Sequence, residues 1–204
     1  MTLIEILFSD PISFLIIAVA IILSLSIHEY FHAWVAYFLG DPTSKDKGRL
    51  TINPLAHLDP FGTLLIFLVG FGWGKPVPIN PTNFKNQKLG EVLVGIAGPF
   101  ANFSLALIMS LILRFFTFSN IFFGSFLSLF IWLNLALGVF NLIPIPPLDG
   151  SHIILVLASE KVRSFLIRNS LLLIIILIFL IYRFGLGFIL NPIYTLFTGV
   201  PSPF

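Results

Sequence analysis

The chain has 204 residues, 57% of them hydrophobic and only 10% charged, with a net charge of +2. A soluble domain carries about 25% charged residues, so a mean hydropathy of +1.04 describes an integral membrane protein. No basic run supports nucleic-acid binding, and the absence of cysteine excludes disulfides and thiolate metal sites.

The N-terminal stretch Met1 to Asp10 carries Glu5 and Asp10 but no Lys or Arg, the wrong flank for a cleaved signal peptide, so none is expected. The first expected membrane span covers residues 12–39. Within it the ionisable side chains are Tyr30, Tyr37 and the three of the pentad His28-Glu29-Tyr30-Phe31-His32. On a helix, positions i and i+4 share a face, so His28 and His32 can grip one metal ion, with Glu29 beside it as a general base for water. A carboxylate at that depth costs several kcal/mol unless it has a partner or a task. With His and Glu each near a frequency of ~0.02, chance yields such an H-E-x-x-H on the order of 0.002 times per chain.

Past the first span, Gly48–Pro54 and Gly74–Pro81 are short runs with β-branched residues and bounding turn residues, and short β-strands are expected there. Pro76 and Pro78 would restrict the second to a sheet edge, where it could hold an unwound substrate by strand addition. Between them, residues 61–73 form a 13-residue hydrophobic segment containing Gly62, Gly70 and Gly72, too short to span. Three further spans are expected at about 92–113, 121–143 and 169–190.

Charge decides the topology. If 61–73 does not cross, nine of the eleven Lys and Arg lie on one side, and only Arg114 and Arg183 on the other. If it crosses, the division becomes six to five. The positive-inside rule favours the first arrangement, a single all-α domain over 1–204 with about four spans plus a non-crossing hairpin, and makes the nine-charge side cytoplasmic. The pentad then lies near the cytoplasmic end of its span. The third span ends on the same side, in Asn141-Leu142-Ile143-Pro144-Ile145-Pro146-Pro147-Leu148-Asp149-Gly150, whose prolines stop a helix. Asp149 is the one charged residue between Arg114 and Glu160.

Two histidines do not complete a catalytic zinc site, which takes three protein ligands and an open position. Asp149 is the candidate third ligand, against the plainer role of capping a helix that begins at Gly150. Glu91 is its rival. His152, three residues after Asp149, and the loop-borne His57 are candidates for supporting or alternative contacts. Gly98 and Asn102, four apart, suit close helix packing, and Asn102 could add a hydrogen bond into the site.

With these residues the chain resembles the site-2 proteases, intramembrane zinc metalloproteases. The resemblance rests on His28-Glu29-x-x-His32, Gly98-x-x-x-Asn102 and the proline-rich run ending in Asp149-Gly150, and it covers nearly the whole chain. It looks like the compact prokaryotic form, without a PDZ-like insert or a cystathionine-synthase-type domain. The resemblance implies one Zn2+ per chain held by His28, His32 and Asp149, with Glu29 activating water and Asn141 positioning substrate or the oxyanion. It further implies transmembrane protein substrates and a place in the cell membrane of a prokaryote, with no oligomeric state attached. Two other classes fit the pentad less well: a catalytically inactive scaffold that binds transmembrane segments, and another membrane metalloenzyme such as a di-iron hydroxylase. The latter usually needs more histidines than the four present.

Overall fold

The computed structural model describes residues 3–69, 72–116 and 120–204. A short helix α1 (Leu3–Ser9) leads into the long α2 (Pro11–Phe38). Asp10 caps α2 by accepting from the Ser13 backbone N–H at 3.2 Å, and Pro11 occupies the first turn, where no N–H is needed. Next come α3 (Thr43–Asp46), α4 (Pro60–Val69) and α5 (Gln87–Phe115), the last capped by the Asn86 side chain. The chain continues through α6 (Ile121–Asn141), α7 (Ser151–Leu157), α8 (Glu160–Arg168), α9 (Ser170–Phe184) and α10 (Gly187–Thr198).

Three helices, α2, α5 and α6, are long and apolar enough to cross a membrane. Their 28, 29 and 21 residues reach about 42, 43 and 31 Å, against a hydrocarbon core of about 30 Å. They pack directly on one another, with α5 in close contact with both partners. Their buried faces are built from small residues: Ala20, Ser24, Ala33 and Ala36 on α2, Gly95, Gly98, Ala101 and Ala106 on α5. Between helices in lipid no hydrophobic force acts, so association depends on close backbone approach and polar contacts, which small side chains permit. α10 completes the bundle: Leu190 and Tyr194 pack against Ala106, Ile131 and Leu135, all buried.

Two expectations need correction. The region expected to span at 169–190 is a 15-residue helix, α9, that stops where Gly185 turns to a positive φ of 72°. It meets α8 at a 66° bend, and the two pass as one span only together. Residues 187–190 belong instead to α10. The expected β-strands do not form: among the described residues there is no strand, and residues 72–80 run extended without a ladder.

The reason is chemical. Pro76 and Pro78 have no N–H to give. The Lys75 N–H goes to the His57 carbonyl (2.8 Å), that of Val77 to Glu29 Oε2 (2.9 Å) and that of Asn80 to Asp41 Oδ2 (2.7 Å). Two carbonyls are taken as well, Lys75 by Arg49 and Pro78 by the Ser44 hydroxyl, each at 2.6 Å. Three of the N–H groups and two of the carbonyls that could pair with an added substrate strand are thus already engaged.

The ten residues of α4 reach about 15 Å, half the hydrocarbon core. The helix packs on α1, and Phe67 meets Phe14 of α2 with ring centroids 5.4 Å apart. The chain then folds back along α4, with Gly72 so close to Gly62 and Ile66 that a Cβ has no room there. Gly70, noted in the same segment, lies outside the described residues.

Candidate metal centre

His28 and His32 project from one face of α2 onto α5, both buried. Asp149 arrives from the loop after α6, which is closed by the Gly150 N–H donating to the Asn141 carbonyl at 2.7 Å. Among the described residues these three form the group whose ligand atoms converge. His28 Nε2 lies 3.0 Å from His32 Nε2 and 3.0 Å from Asp149 Oδ2, and His32 Nε2 lies 3.3 Å from that oxygen. Donors at zinc-binding distance on a tetrahedron stand about 3.3–3.5 Å apart, so the spacing matches to within a few tenths of an ångström.

The proton positions support a cation here. His32 Nδ1 faces the Val94 carbonyl at 2.7 Å, and a carbonyl only accepts, so Nδ1 carries the proton. His28 Nδ1 faces Asn102 Oδ1 at 2.6 Å in the same sense. With both rings neutral, as metal binding requires, each Nε2 turns its lone pair toward the other and toward Asp149 Oδ2, 3.0 Å from His28 and 3.3 Å from His32. Three such atoms aimed at one point repel unless positive charge, a metal ion or a proton, sits between them. The residues fit a bound metal ion of the zinc type, and the neutral-histidine, carboxylate donor set suits it.

Gly98 of α5 forms the wall of the cradle: a Cβ there would collide with both histidine rings. Glu29, next to His28 on α2, is not one of the converging ligands; its Oε2 accepts the Val77 N–H at 2.9 Å. The extended segment that supplies this N–H is itself anchored through Asp41. That buried carboxylate accepts from Asn80, Asn83 and Thr43 just past the end of α2.

Sequence comparison places the chain among known enzymes. Residues 117–182 match the model of peptidase family M50. YwhC of Bacillus subtilis strain 168, which carries a zinc-metalloprotease name, is 46% identical over 160 residues, a match spanning 72% of this chain and 71% of that protein. The chain belongs to peptidase family M50. Other M50 relatives with zinc-metalloprotease names are Rip2 of Mycolicibacterium smegmatis and MJ0392 of Methanocaldococcus jannaschii. The first is 32% identical over 67% of the chain and 55% of its own length; the second is 29% identical over 75% and 37%. The chain thus spans little more than half of Rip2 and about a third of MJ0392. No solved structure matches it.

The remaining candidates of this M50 chain fall in different places. Asp149 does not cap α7, whose start has no side-chain cap. Glu91 and His152 lie outside the converging group, and His152 is exposed beside Gly95. His57 is buried away from the three ligands and organises the loop: its Nε2 donates to the Thr51 carbonyl at 2.7 Å and its own carbonyl holds Lys75. The Asn141 amide turns back to the Leu137 carbonyl within α6 at 3.1 Å, and its backbone carbonyl, taken by the Gly150 N–H, closes the loop that carries Asp149. Asn102 does reach the site, through His28. Three contributors had no place in the sequence reading: the Val94 carbonyl, the Val77 N–H and Asn134, whose Oδ1 accepts from Asn102 Nδ2 at 2.8 Å. Backbone groups leave no mark in a sequence. Asn134 did leave one, as an amide in the middle of an apolar span, where polar side chains are costly and tend to be functional.

Proposed function

We propose that the protein is a zinc-dependent intramembrane endopeptidase that hydrolyses peptide bonds in or near transmembrane segments of other membrane proteins. One observation carries the reading: the ligand atoms of two buried histidines and a carboxylate converge within 3.3 Å of one another, one residue from Glu29, in the apolar bundle of an M50 peptidase. His28, His32 and Asp149 are the ligands of a single zinc ion. Nine Lys and Arg lie at Lys45–Lys88 or Lys161–Arg168, against Arg114 at the far end of α5, and this asymmetry supports a site facing the cytoplasmic side, in a prokaryotic cell membrane.

A zinc ion held by His28, His32 and Asp149 would supply Lewis acidity toward a peptide carbonyl and toward water. Glu29 handles the proton. With Oε2 fixed by the Val77 N–H, Oε1 takes a proton from the attacking water and returns it to the nitrogen of the leaving amine. A helical substrate unwinds locally first, because its carbonyls are otherwise hydrogen-bonded.

The test is metal content by elemental mass spectrometry of detergent-purified protein, combined with cleavage of a reporter transmembrane substrate. Wild type is expected to hold about one zinc per chain, and Asp149→Ala to lose most of it. Glu29→Gln is expected to keep zinc and lose cleavage by about 10²- to 10⁴-fold. Zinc indifferent to Asp149 overturns the ligand set, and a Glu29→Gln variant that still cleaves overturns the base. A scaffold that binds transmembrane segments without cutting them would show no cleavage in wild type either.

A further inference from the structure

We infer that Asn134 is a positioning residue for His28, acting through Asn102 to fix which ring nitrogen faces the metal; the inference rests on the zinc reading above. Asn134 sits on α6, Asn102 on α5 and Ser24 on α2, and all three are fully buried. Their hydrogen bonds form one directed line. The Ser24 hydroxyl donates to the Ala20 carbonyl at 2.7 Å, so its oxygen is left to accept, and it does so from Asn134 Nδ2 at 2.8 Å. The same Nδ2 donates to the Phe130 carbonyl at 2.8 Å. Asn134 Oδ1 accepts from Asn102 Nδ2, and Asn102 Oδ1 faces His28 Nδ1.

Only one orientation of this line satisfies every member. The Phe130 carbonyl cannot donate, so Asn134 must present its NH2 there and its oxygen to Asn102. Turning Asn134 over would set oxygen against oxygen at Phe130 and NH2 against NH2 at Asn102. With Asn134 fixed, Asn102 has its oxygen toward His28, whose Nδ1 must then hold the proton and whose Nε2 keeps the lone pair. All three side chains are fully buried, so bulk solvent does not compete for these bonds. The polarity set by a backbone carbonyl of α6 is thereby transmitted across α5 to the ring on α2. His32 needs no such relay, because the Val94 carbonyl orients it directly.

The experiment compares zinc affinity, by competition with a chelator, in wild type, Asn134→Leu and Asn134→Asp, together with thermal midpoints of the zinc-free proteins. Leu and Asp both share the branching of Asn at Cγ. Leu removes the hydrogen bonds and frees the Asn102 amide to turn. Asp, neutral at this buried position, can accept from Asn102 and donate through its hydroxyl to Phe130 or Ser24, restoring the line. Asn134→Leu is expected to weaken zinc by about 10- to 100-fold, the usual effect of losing a partner behind a ligand, and Asn134→Asp to stay within about 3-fold of wild type. Wild-type affinity in the Leu variant overturns the inference, as does an equal loss in both variants, which would assign Asn134 to packing. If Asn134→Leu does not fold, nitrogen NMR of the zinc-free wild type decides, since a His28 ring protonated at Nε2 and bare at Nδ1 contradicts the relay. Absence of zinc from the wild type would instead overturn the metal reading beneath it.

Discussion

Replacing Gly98 with alanine adds a single methyl group at the point where α5 meets the histidines. The new Cβ would stand 2.5 Å from His28 Nε2 and closer still to His28 Cε1 and His32 Nε2. Ordinary contact begins near 3.5 Å, so rings or helix must separate by about 1 Å. Ligand distances at a metal hold to about ±0.2 Å, so the shift is several times what coordination accepts. A misplacement of about 1 Å in a catalytic geometry lowers rates by about 10²-fold, or roughly 2.7 kcal/mol of barrier. Gly98→Ala is therefore expected to bind zinc at least tenfold more weakly, by the scale of lost ligand support, and to cleave about 100-fold more slowly. Gly138→Ala is the control: its Cβ meets the Phe103 ring at 2.9 Å rather than a ligand, so it should lower the thermal midpoint and leave zinc bound. A Gly98→Ala protein with wild-type zinc affinity and turnover would refute the claim that α5 sets the histidine geometry.

Two further outcomes follow from the extended segment over Glu29. Val77→Pro deletes the N–H that Glu29 accepts, a bond to a charged group worth about 1.5–3 kcal/mol; cleavage should fall about 10- to 100-fold with zinc content unchanged, and undiminished cleavage would remove Val77 from the machinery. Asp41 gives a pH signature. Burial pushes its carboxyl up, but hydrogen bonds from Thr43, Asn80 and Asn83 outweigh this and hold it below the usual carboxylate range. Its stabilisation is complete above the unfolded carboxylate value of about 3.9 and disappears as pH falls through the lower folded value. Thermal midpoints recorded from about pH 6 down to about pH 3 should drop less steeply at the acid end for Asp41→Asn than for wild type. Parallel curves would show that Asp41 is not the sensor.

The candidate site was legible where chemistry is tied to spacing or to rarity. His28 and His32 are four apart on a helix, and Asp149 is the lone charge in a long apolar stretch. Bulk hydropathy located α2, α5 and α6 because a span needs only length and composition. The 74–80 segment misled because its β-branched residues alternate with prolines: side-chain preference favours a strand, while the donors a ladder requires are missing or bound to Glu29 and Asp41. The last helices misled for a different reason. Residues 169–190 are uniformly apolar, and hydropathy cannot register the turn at Gly185 that sends Leu190 and Tyr194 into the core. Asn134 escaped because its partners lie 32 and 110 residues away, a pairing that only the packed bundle creates.

The three converging groups are also separated in time. His28 and His32 leave the ribosome with α2, whereas Asp149 follows 117 residues behind His32, after α5 and α6 have been made. At synthesis rates of about 5–20 residues per second, the nascent chain carries a histidine pair without its carboxylate for roughly 6 to 23 s. Throughout that interval the first span lies in the membrane beside unfolded segments of its own chain, with the proposed ligand set incomplete. Placing Asp149 beyond the last of the three long apolar helices makes the assembled bundle a precondition for a complete site.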